Sequence, residues 1–170
     1  MNLGDSVLVI GNESIKDTTY LSANSAASIV NAFVANMNQR GYTRVEASTS
    51  ADIGVQITYV ENTYWIVDNN YNNGWWGNYP YYWSPSFWGG GWNGWWYPAY
   101  YSWAFSFTNG SLVCELLALN SNVATASSNK VPVIWTGICT NLLTGNSAVN
   151  LQNAVNGINQ AFTQSTYIKK

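Results

Sequence analysis

The sequence predicts an α+β domain: an antiparallel sheet of five or six strands, two helices packed on one face, and a long aromatic and glycine-rich insertion in one hairpin. Three observations predict it. Two segments place apolar residues at helical spacing, residues 53–59 alternate as a half-buried strand does, and Asn109-Gly110 separates two β-prone runs. The chain has 170 residues, the size of one domain with room for a core. Residues 1–170 are therefore read as a single domain, with 68–98 as an insertion within it.

Taken in order, Val7-Leu8-Val9-Ile10 is a short apolar run and reads as a strand. Ala26, Val30, Phe33 and Met37 follow at spacings of 4, 3 and 4, the stripe of an amphipathic helix. Ser22, Asn24 and Ser25 are its candidate caps, Arg40 stands in its last turn, and Gly41 is placed to end it. Tyr42 to Glu46 reads as a second short strand. Ile53, Val55, Ile57 and Tyr59 alternate with Gly54, Gln56 and Thr58, and this strand runs on to about Val67.

The composition changes at Asp68. Not one charged residue stands between Asn69 and Cys114, and residues 68–103 hold 16 aromatics, six glycines and three prolines. Asn73-Gly74-Trp75-Trp76 leads to Tyr79-Pro80, and Asn93-Gly94-Trp95-Trp96 leads to Tyr97-Pro98, which reads as a duplicated arm inside one insertion. Residues 99–108 and 111–119 then flank Asn109-Gly110. A two-residue turn there sets Phe107 opposite Leu112, Phe105 opposite Cys114 and Trp103 opposite Leu116. Residues 131–140 form another strand, with Pro132 near its start. Ala148, Leu151, Val155, Ile158 and Phe162 close the chain as a helix, capped by Asn146 or Ser147.

Charged residues make up only 8% of the chain, with six Lys+Arg against eight Asp+Glu. That excludes a nucleic-acid binder working through a basic stripe, and it excludes a disordered chain. Polarity comes from amides, with 23 Asn along the sequence. The absence of His excludes every mechanism that needs an imidazole. No run of 18 apolar residues spans a membrane, and the first ten residues lack the basic and apolar regions of a signal peptide. Few charges with many Asn, Ser, Thr, Tyr and Trp nevertheless suit an extracytoplasmic protein, so a trimmed N-terminus is expected.

Arg40-Gly41-Tyr42, Ala51-Asp52-Ile53, Gly110-Ser111-Leu112-Val113 and Val133-Ile134-Trp135-Thr136-Gly137 occur in this order, and a helix closes the chain. In these pieces the chain resembles a bacterial envelope lipoprotein family, domain of unknown function 4136, and among its members those of gut Bacteroidota. The resemblance implies a lipid-anchored α+β domain facing the periplasm or the cell surface, and it brings no catalytic residues. The lipobox cysteine is absent here, consistent with a trimmed N-terminus, and the insertion is richer in Trp and Tyr than the family pattern.

Chemistry-bearing groups are few. Glu61 and Glu115 are the one carboxylate pair that a glycosidase could use. Asp68 to Gly74 is similar to a calcium loop but has its glycine one position late and no acid at the twelfth place. Neither a metal nor a cofactor is expected. Cys114 and Cys139 lie on neighbouring strands; centring the loop between them puts Cys114 opposite Thr136, so the two thiols fall on opposite faces and stay free. A bulge would change that parity.

The insertion is the feature that needs a function. Each Trp or Tyr buries about 150–250 Å² when inside, more than a small two-layer domain can cover for all of them. Trp75, Trp76, Trp83, Trp88, Trp92, Trp95, Trp96, Tyr81 and Tyr82 are the candidate ligand-binding residues. The expectation is a non-catalytic envelope domain whose insertion is a structural or interaction surface. Its partner would be a glycan, another envelope protein or a second copy of the chain; carbohydrate binding is the first alternative and glycoside processing the second.

Overall fold

A computed structural model describes residues 1–10, 19–46, 51–60, 64–67, 97–99, 104–107, 110–119 and 130–170. The strands are β1 (Asn2–Leu3), β2 (Leu8–Ile10), β3 (Thr19–Tyr20), β4 (Ile53–Val60), β5 (Tyr64–Val67), β6 (Tyr97–Ala99), β7 (Ala104–Phe107), β8 (Ser111–Ala118) and β9 (Lys130–Cys139). The helices are α1 (Ala23–Gln39) and α2 (Ser147–Gln164). The fold is α+β, with both helices against one face of the sheet.

β4, β8 and β9 form an antiparallel centre, and among the described residues the sheet runs β3-β2-β4-β8-β9-β6, with β1 also beside β4. It has seven strands where five or six were expected, four of them only two or three residues long. It is not wholly antiparallel either: β1 and β2 run parallel to β4, and β6 runs parallel to β9. The expected strand over 42–46 does not form. That segment meets Met1, the residue before β1, through Val45 N–H to Met1 O at 2.8 Å and the Met1 ammonium to Thr43 O at 2.7 Å. β1 gives its ladder to β4 instead.

The helices end as their sequences dictate. Ser22 Oγ accepts from Ser25 N–H at the start of α1. At its end Gly41 takes φ +88°, while Tyr42 N–H bonds Met37 O and Gly41 N–H bonds Asn38 O, the paired closure of a Schellman motif. Asn146 Oδ1 accepts from Ala148 and Val149 N–H at the start of α2. Ile29, Val30, Phe33 and Met37 of α1 and Ala154, Ile158 and Phe162 of α2 are buried against Val55, Ile57, Leu112, Cys114, Leu116 and Trp135 of the sheet. Phe162 is the centre of this core, edge-on to Phe33 at 5.0 Å and stacked on Trp135 at 5.1 Å. The helices run parallel, since Asn36 bonds Asn159 and, one turn on, Arg40 bonds the Phe162 carbonyl.

The expected hairpin at Asn109-Gly110 is replaced by a longer pairing. β8 has β4 on one side and β9 on the other, and β7 pairs with β5. Phe107 therefore faces Tyr64 and Phe105 faces Ile66, in place of Leu112 and Cys114; Trp103 lies outside the described residues. Val60 opposes Ser111 and Tyr64 opposes Phe107, so the β4–β8 and β5–β7 pairs share one register count, although they belong to two separate sheets and the residues between them lie outside the described residues. The strand expected to run from Ile53 to about Val67 is described as two, β4 ending at Val60 and β5 over Tyr64–Val67 in a separate sheet, with 61–63 outside the described residues.

The two pairs do not continue each other in one straight ribbon. Ala99 pairs with Pro132, beside the Val133–Leu117 pair at the far end of β8. Five residue steps carry the chain from Ala99 to Ala104, a reach of at most about 18 Å. A straight ribbon would set Ala104 about 45 Å from that end of β8. The β5–β7 pair is therefore turned out of line with β4 and β8, and it forms a separate two-stranded sheet. Gly110 stands at the corner with φ +69°, and a Cβ there would come within 2.4 Å of Leu143 Cγ. The strands on either side of Asn109-Gly110 thus pair with other strands and not with each other.

Candidate functional site

The residues singled out in the insertion, Trp75 to Trp96, lie outside the described residues, as do Glu61 and the 68–74 loop. What the structure brings together is a different group, on the sheet face turned away from the helices.

Gln56 and Thr58 were assigned to the exposed side of a half-buried strand. Both faces of β4 are in fact buried: Gln56 is 1% exposed and Thr58 0%. β8 is buried on both faces as well, with Ser111 at 0% and Glu115 at 2%. The register sets Gln56 opposite Glu115, Thr58 opposite Val113 and Val60 opposite Ser111. The result is a polar stripe across two strands, flanked by the buried side chains of Val60, Val113 and Leu117. The helices occupy the other face.

Within the stripe Gln56 Nε2 donates to Thr58 Oγ1 at 3.4 Å, a long bond. Among the described residues no group donates to Gln56 Oε1. Glu115 also faces Thr136 of β9, which is exposed, so burial ends between β8 and β9 and the stripe has an open margin there. The buried carboxylate is an acceptor with two oxygens, and the hydroxyls of Thr58, Ser111 and Thr136 both give and accept. A signal for this face existed in the sequence: Val113 and Leu117 share it with Glu115, which a solvated face would not require.

The two thiols sit on the helix face. Leu112 pairs with Cys139 and Cys114 with Gly137, so both cysteines share one side, not opposite sides as centring the loop implies. The centred register does hold at Leu117–Val133; a bulge between Leu116 and Leu117 then shifts β9 by one residue, and Ile134 is left 51% exposed. Both cysteines are free and buried. Burial first, then Cys139 and Glu115, push the Cys114 thiol well above its ordinary pKa. Burial pushes Cys139 to about 11. Neither is a nucleophile at neutral pH. Among the described residues no group of three potential metal ligands forms, and no helix is long and apolar enough to cross a membrane.

Comparisons with known proteins agree with this architecture. The family model DUF4136, described as a domain of unknown function, matches residues 9–165. The crystal structure of a DUF4136 family protein from Bacteroides thetaiotaomicron is 36% identical, superposes with a TM-score of 0.74, and the match covers 99% of this chain and 87% of that one. No curated protein matches the chain.

Proposed function

The chain belongs to the DUF4136 family, a domain of unknown function, and from that premise we propose that it is a non-catalytic module of the bacterial cell envelope whose insertion, residues 68–98, is an interaction surface. The observation that carries this reading is how the described elements root the insertion. Val67 pairs with Ala104 at one root, and Tyr97–Ala99 pair with Lys130–Pro132 at the other. The seven Trp from Trp75 to Trp96 thus stand between two segments tied to a scaffold whose helix-side core is centred on Phe33, Trp135 and Phe162.

The envelope setting is supported by a composition of 8% charged residues with abundant Asn, and a lipid anchor on the full-length protein belongs to the same reading. The non-catalytic reading is supported by the lack of His and by two thiols too buried to react. Ring faces interleaved with Asn amides suit an uncharged glycan, the second reading.

Glycan-array and calorimetric binding, repeated with Trp75→Ala, Trp76→Ala, Trp95→Ala and Trp96→Ala, tests the surface. Loss of binding in these variants supports it. Flotation of the unlipidated chain with liposomes would instead assign the surface to the membrane interface. Turnover of a glycoside that disappears in Glu115→Gln would overturn the non-catalytic reading.

A further inference from the structure

We draw no further inference here: the strongest candidate, the uncharged patch that Ile134 and Thr136 expose on the face of β9 turned away from the helices, carries nothing because nothing in the structure shows what covers it.

Discussion

Arg40 ties the ends of the two helices together. Its Nη1 donates to Asn36 O at 2.9 Å and its Nη2 to Phe162 O at 2.7 Å, with the guanidinium 4.8 Å from the Phe162 ring centroid. Two parallel helices bring their negative C-terminal ends together, and one cation answers both. Arg40→Ala should cost about 2 kcal/mol in urea unfolding, and Arg40→Lys should recover only part, since an ammonium lacks the fork. The thiols give a pH prediction. Cys139 titrates at about 11 in the folded chain against an ordinary 9.0, so the unfolded chain loses its proton first. Stability is therefore intact below about pH 9 and falls as pH rises toward about 11. Cys139→Ala should show a shallower fall over that window, measured by denaturation at a series of pH values.

At the scale of elements, what depends on neighbours in sequence was legible and what depends on distant partners was not. Both helices, their caps at Ser22 and Asn146, and the glycine stop at Gly41 follow from local spacing and capping chemistry. The pairing of β7 does not, because the short-range Asn-Gly signal says nothing of β5, the strand that β7 meets. The parity of the cysteines turned on one extra residue in β9, which alternation alone does not reveal. The polar stripe was misplaced for a related reason: alternation reports which residues share a face, and here a second layer covers the face that reads as solvated. Gly157 shows local propensity losing to packing. Alanine inside a helix ordinarily stabilises by about 0.5–1 kcal/mol. A Cβ at Gly157 would meet Cys139 Sγ at 2.7 Å and Cys139 Cβ at 2.9 Å, because α2 crosses β9 there. Gly157→Ala should therefore lower the melting temperature, and Cys139→Ala should offset part of the loss in a double-mutant cycle.

For the whole molecule, the decisive constraint is that the chain between β5 and β7 is rooted twice. Replacing residues 74–92 by a short Gly-Ser linker keeps Tyr64–Val67, Tyr97–Ala99 and Ala104–Phe107. Shortening a surface connection changes closure entropy by only about 0.6 kcal/mol per halving. The shortened chain should give the same cooperative thermal transition within a few degrees and lose the insertion's binding. Unfolding on shortening would make those residues core. None of this rooting was visible in composition, which reports the aromatic excess and not where its ends are tied.

The bridge from Arg40 to Phe162 spans 122 residues of chain. β8 and β9 meet across far shorter separations, Leu117 with Val133 among them. Loop closure favours near contacts, so the β8–β9 pair is expected in the folding nucleus and the helix–helix bridge among the last contacts made. Losing that bridge should then appear almost wholly in the unfolding arm of a chevron plot: Arg40→Ala unfolds faster and refolds at nearly the parent rate. The guanidinium that joins the two helix ends would thus set how long the native state lasts, and leave how quickly it is reached to the strands.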